Sequence, residues 1–157
     1  MADSVLVFGW GNPSRGDDAL GPALIERLEA ARPSRPEWGA LELLTDFQLQ
    51  PEHALDLEGR RRVLFIDASV SCDPPYAFSR LAPQAEVGYT THAMNPAALL
   101  AVFRQITGRA PPPAWLLTLR GLSFELGAPL SPEAQSHLEA AADFVASLLA
   151  GEWQRFD

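Results

Sequence analysis

Two segments built around unbroken apolar stretches, VLVF and VLFI, limit what this chain can fold into. One is Ser4–Gly9 (SVLVFG) and the other is residues 61–70 (RRVLFIDASV). A strand with one wet face alternates apolar and polar residues. A run that is apolar at nearly every position suits a strand covered on both faces, as in a parallel sheet packed between helices. The intervening segments fit that arrangement. Gly21–Ala31 places Leu24, Ile25, Leu28 and Ala31 on one helical face, with Pro22 in the first turn. ALELLTD reads as a second strand ending at Asp46, and QPEHALDLEG as a short helix stopped by Gly59. NPAALLAVFRQITG is a helix capped by Asn95, opened by Pro96 and closed by Gly108. PPPAWLLTLRGLSFE supplies another strand. SPEAQSHLEAAADFVASLLAG supplies the last helix, with Ser131 as cap, Pro132 in the first position and Gly151 at the end. SCDPPYAFSRL holds a loop and a short edge strand limited by its prolines, and EVGYTTHAM is polar loop.

Strands alternating with helices predict an α/β fold, with a mostly parallel sheet covered by helices on both faces. Residues 1–157 read as a single domain, a length that supports one sizeable core. The net charge of −8 disfavours nucleic acid and anionic membrane as partners, because both need a basic surface. All twelve basic side chains are arginine, which excludes a lysine Schiff base and a P-loop lysine. One cysteine, Cys72, leaves no internal disulfide and fits a reducing compartment. No secretory signal and no membrane-length apolar run is present, so the expectation is a cytoplasmic monomer.

In parallel sheets, functional groups gather beyond the carboxyl ends of the strands. The stretch VLVFGWGNPSRGDDALGP, from Val5, leads from the first strand into such a place. It is not a dinucleotide cradle. Ser14 stands where the third glycine of G-x-G-x-x-G should be, and Asp17 and Asp18 would repel a pyrophosphate. The glycines Gly9 and Gly11, with Asn12, read as a turn that lets backbone approach a substrate. Of the two aspartates, Asp17 is assigned to capping the following helix, on the rim of the cleft, and Asp18 to facing the cleft. Asp46 and Asp67 end two further strands, and Asp46 is assigned to lining the same cleft. Trp10 lies inside the glycine loop and lines the same cleft. His92 is the best-placed histidine, in a loop before a capped helix, whereas His53 and His137 read as solvated. One histidine and two carboxylates from separate segments form a mixed nitrogen and oxygen set that suits a divalent metal with open positions. Spacing alone leaves open whether Asp18, Asp67 and His92 converge or are three unrelated polar residues. Cys72 is read as structural.

Taken together, the opening VLVFGWGNPSRGDDALG, the strand end LFIDA and the segment THAMNPAALL resemble the hydrogenase maturation proteases in order and approximate spacing, from Val5 to about Leu119. The resemblance implies a three-layer α/β/α sandwich around a twisted, largely parallel sheet of about five strands. It implies an endopeptidase that trims the C-terminal extension of a nickel–iron hydrogenase large-subunit precursor, with Asp18, Asp67 and His92 contacting the metal. The nickel would be carried by the precursor, and no tightly bound cofactor of the protein's own is expected. Two departures stand out. TDFQLQPEHALDL replaces the D-G/x-G-T stretch of many relatives and looks like members serving NAD-reducing soluble hydrogenases. Trp10 is bulkier than the small aliphatic residue expected there. The alternatives are a non-catalytic flavodoxin-like module for a metal or nucleotide, and a peptidase with its own zinc.

Overall fold

The computed structural model describes residues 4–84 and 94–156. Strand β1 (Val5–Trp10) leads through a 3₁₀ turn (Gly16–Ala19) into helix α1 (Leu20–Ala31). Strand β2 (Leu41–Asp46), a 3₁₀ segment (Pro51–Leu57), β3 (Arg62–Ser69) and β4 (Tyr76–Arg80) follow, then helix α2 (Pro96–Thr107), β5 (Ala114–Arg120) and α3 (Pro132–Leu149). The strands form one sheet in the order β2-β1-β3-β5-β4. The pairs β1–β2, β1–β3 and β3–β5 are parallel, and only edge strand β4 runs antiparallel, against β5. The expected mostly parallel sheet is therefore present, and the proline-flanked segment lies at its edge, where a missing ladder donor does least harm.

Strand alternation sorts the core into two layers. Val5, Val7, Leu64 and Ile66 face α1 and α3, meeting Leu24 and Leu28 of α1 and Leu138, Ala141 and Val145 of α3. Leu6, Phe8, Trp10, Val63 and Phe65 point the other way, against Leu99, Leu100 and Phe103 of α2 and Ala54 and Leu57 of the 3₁₀ segment. Both faces of β1 are buried, which is why its sequence shows no alternation. The helix caps follow the sequence. Asn95 accepts from Ala98 N at 2.8 Å, Ser131 accepts from Ala134 N at 3.2 Å, and Gly108 closes α2 in the left-handed region at φ 70°.

The glycine turn after β1 is built differently from the expectation. A Cβ on Gly9 would meet Gly21 O at 2.5 Å, and one on Gly11 would run into the carbonyl oxygen of Asp18. Both glycines permit close packing within the chain, rather than holding space open for a substrate. They bring the start of α1 and the Asp18 backbone down onto the end of β1.

Candidate active site

Asp18 lies close enough to Asp67 for their charges to interact, past the carboxyl end of β1 and near that of β3. Asp67 is the sixth residue of β3, and Gly9 pairs with Ile66, so Trp10 and Asp67 are the next neighbours along that register. Asp18 lies in the 3₁₀ turn folded back over Gly11, and its Oδ2 accepts from Asn12 N at 2.7 Å. Asn12 Oδ1 in turn accepts from Ser14 N at 2.9 Å, so Asn12 shapes the loop that carries Asp18.

The surroundings of Asp67 are unusual for a carboxylate. Burial, chiefly, and the negative charge of Asp18 push its pKa up to about 7. The backbone N–H of Ala68, at 2.8 Å from Oδ1, and the indole N–H of Trp10 pull the other way. Two carboxylates held near one another in this manner favour either a shared proton or a cation between them. Oxygen donors of this kind suit a divalent ion, and a nitrogen donor would complete a mixed set. Among the described residues, no three His, Cys, Asp or Glu side chains close on one point. His92 lies outside the described residues.

The pair-mate of Asp18 has a different role from the one expected. Asp17 is 0% exposed and caps nothing in α1, so it does not line the cleft. Its Oδ2 accepts from Leu122 N at 2.7 Å, Ser123 N at 3.1 Å and Ser131 Oγ at 2.7 Å, and its Oδ1 accepts from Ser131 N at 2.8 Å. Burial alone would raise its pKa, but these four hydrogen bonds outweigh it and hold the carboxyl below its ordinary range. Asp17 therefore ties the β5–α3 loop to the opening loop. Ser131 joins this anchor to the α3 cap, since its hydroxyl also accepts from Ala134 N.

Asp46 is held on the far side of β1 from Asp67. Its Oδ1 accepts from Phe47 N at 2.7 Å, and its Oδ2 lies 3.0 Å from His53 Nε2. Gln50 N donates to His53 Nδ1 at 2.9 Å, so the proton of neutral His53 sits on Nε2 and points at Asp46. The His53 side chain is 15% exposed and its ring meets Phe8 edge-on at 4.7 Å. Its expected solvation is corrected by this pairing. His137 is also partly buried, and its Nδ1–H donates to Arg120 O at 2.7 Å. The Q-P-E-H spacing, a capping box closed by histidine, was the available signal for His53.

Comparison with known proteins bears on the fold. No protein-family model and no curated protein matches the sequence. Solved structures do match. The NiFe hydrogenase maturation protease HycI from Thermococcus kodakarensis is 21% identical with a TM-score of 0.71, over 93% of this chain and 92% of that one. The hydrogenase maturating endopeptidase HybD from E. coli is 24% identical with a TM-score of 0.70, over 93% and 91%. The hydrogenase 2 maturation peptidase from a Thaumarchaeota archaeon is 26% identical with a TM-score of 0.63, over 94% and 98%. The fold is shared along almost the whole length of each chain.

Proposed function

We propose that this chain, which belongs with the hydrogenase maturation proteases, removes the C-terminal extension of a nickel–iron hydrogenase large-subunit precursor after nickel insertion. The observation that carries the reading is the meeting of Asp18 and Asp67 at one end of the sheet, in a chain that shares the fold of these proteases over nine-tenths of its length. Asp18, Asp67 and His92 would contact nickel that arrives with the precursor, with His92 assigned by the sequence resemblance alone. Asp67, whose proton affinity lies near neutral pH, suits the proton transfers of peptide hydrolysis as an aspartic-type acid or base. Asp18 contributes fixed negative charge toward the cation.

Four large apolar side chains, each more than half exposed, lie just beyond strand ends on the same side of the sheet as the two carboxylates. They are Phe47 after β2, Val70 after β3, and Leu122 and Leu126 after β5. This rim supports docking of a folded polypeptide around the scissile segment. Among the described residues no helix is long and apolar enough to cross a membrane, which agrees with a reaction in the cytoplasm, where the single thiol stays reduced.

The test is a processing assay with nickel-loaded and nickel-free precursors, starting with that of a soluble NAD-reducing hydrogenase. Nickel-loaded precursor is expected to be shortened and nickel-free precursor to remain intact. Asp18→Asn, Asp67→Asn and His92→Ala are each expected to stop processing while circular dichroism stays unchanged, and His137→Ala to remain active. Equal cleavage of both precursors, or tightly bound stoichiometric zinc in the purified protein, would favour a self-sufficient metallopeptidase. No cleavage of any precursor would favour a non-catalytic binding module.

A further inference from the structure

We propose that the groove between α2 and the chain leaving β4 is a docking site for an extended acidic segment of a partner polypeptide, at the end of the sheet opposite Asp18 and Asp67. The inference stands apart from the peptidase reading. It begins with where the charges lie. The chain carries a net charge of −8, yet its arginines gather at the amino ends of the parallel strands. Arg32 and Arg35 precede β2, residues 60–62 are all arginine at the start of β3, Arg80 ends β4 opposite Trp115, and Arg104 and Arg109 flank the end of α2. The carboxyl ends hold the aspartates instead. An acidic partner is therefore attracted to one end of the molecule and repelled from the other.

Most of these arginines are already matched. Arg32 pairs with Glu29, Arg35 with Glu37, Arg60 with Glu42 and Arg109 with Glu58. Arg80 and Arg104 are exposed and have no acidic partner among the described residues; the Arg80 guanidinium lies 4.6 Å from the centre of the Trp115 ring. Both line a cavity of about 390 Å³, and Arg104 and Pro83 also line a second one of about 440 Å³, so the two form a groove along α2. No Asp or Glu lines either cavity among the described residues, and Leu81, Leu100 and the prolines at 111–113 supply apolar wall. The backbone argues against a phosphate group. Phosphate sites use a cluster of backbone N–H donors, commonly at a helix N-terminus. Here the groove meets the carbonyl end of α2, whose partial charge is negative, and prolines that carry no N–H. Single carboxylates spaced along a peptide, each meeting one planar guanidinium, suit this wall better than one concentrated dianion, and an apolar side chain between them covers the leucines.

The test uses the full ¹⁵N-labelled chain and a short blocked peptide alternating glutamate with leucine. The Nε–H signals of Arg80 and Arg104 and the Gly108 amide are expected to move, saturably, and the affinity to fall as salt is added. Arg80→Gln and Arg104→Gln should each weaken binding about two- to fivefold, and the double variant about tenfold, with melting temperatures near wild type. Arg15→Gln removes an exposed charge from the loop at the opposite end, and it should leave binding unchanged. Equal weakening by Arg15→Gln would reduce the effect to diffuse attraction and overturn the site. So would unchanged binding in the double variant, equal movement with a glutamine–leucine peptide, tighter binding of inorganic phosphate than of the peptide, or no movement at millimolar peptide. None of these readouts depends on whether any precursor is cleaved.

Discussion

Three aspartates near the sheet end differ because of their surroundings, and two of them titrate in opposite directions. Asp67 has its pKa raised to about 7, so its contribution to stability is fully present below the unfolded value and is lost as pH rises through the folded one. In chelator-treated protein, the stability of Asp67→Asn relative to wild type is therefore expected to improve between pH 5 and pH 8. The change is about 2 kcal/mol, or roughly 4–8 °C in melting temperature for a chain of this size. A constant difference across that range, read by calorimetry, would show that Asp67 is not held protonated by the fold. Asp17 has the opposite sign. Its depressed pKa gives stability that is present above the unfolded value and lost only as pH falls through the folded one, below the ordinary carboxylate range. Asp17→Asn exchanges one accepting oxygen for an NH₂ that faces a donor, so it is expected to lower stability by about 3 kcal/mol at pH 7. Equal melting temperatures for Asp17→Asn and wild type would contradict the anchor. The sequence made the acidic pair visible but exchanged half of its meaning. What distinguishes Asp17 from Asp18 is a set of donors more than a hundred residues away, at Leu122, Ser123 and Ser131, and no local pattern reports them.

At the scale of elements, the site depends on how closely α1 sits on β1 and β3. A Cβ on Gly21 would overlap Trp10 O and come within 3.1 Å of Ile66 O, both carbonyls of the strands that carry the site. Gly21→Ala must push the start of α1 outward, and with it the 3₁₀ turn that holds Asp18. Overpacking of this kind costs about 1–3 kcal/mol. Processing is expected to fall further than that loss implies, because Asp18 moves away from Asp67. Gly108→Ala is the comparison: its positive φ introduces strain, but nothing lies within 4 Å of the added methyl, so stability should drop while processing of the folded fraction is unchanged. If the two variants affect processing alike, the close approach of α1 has no special bearing on the site. The elements themselves were legible because burial on both faces, proline openings and glycine stops are written locally. The same residues put Asp67 at the end of its strand, whereas β3 continues in pairing with β5 through Ala68 and Ser69. The purpose of the glycines was less legible, since the atoms that would collide with a side chain come from across the fold.

For the whole molecule, the question is what the rim around the carboxylates meets. Six large apolar side chains among the described residues are strongly exposed, and four of them, Phe47, Val70, Leu122 and Leu126, follow the carboxyl ends of parallel strands. Ile106 lies instead near the end of α2, which leads toward the start of β5 at the opposite end of the sheet. Two of these rim residues, Phe47 and Leu122, are held by polar contacts beneath them. Phe47 N is bonded to Asp46, which His53 holds in turn, and Leu122 N is bonded to Asp17. An exposed apolar side chain on a pinned backbone cannot fold inward to escape water, so it gains most when a partner covers it. Covering one such side chain contributes about 1 kcal/mol, which is roughly a fivefold change in affinity. Phe47→Ser and Leu122→Ser are therefore each expected to raise KM for the folded precursor about three- to tenfold, with kcat close to wild type, since neither side chain touches Asp18 or Asp67 in the contacts above. Ile106→Ser should leave both constants unchanged. A short peptide spanning the cleavage site, too small to reach the rim on several sides at once, should be cut poorly by wild type and be indifferent to all three substitutions. If KM rises equally in Ile106→Ser, or if the peptide is processed as well as the folded precursor, docking does not use this end of the sheet.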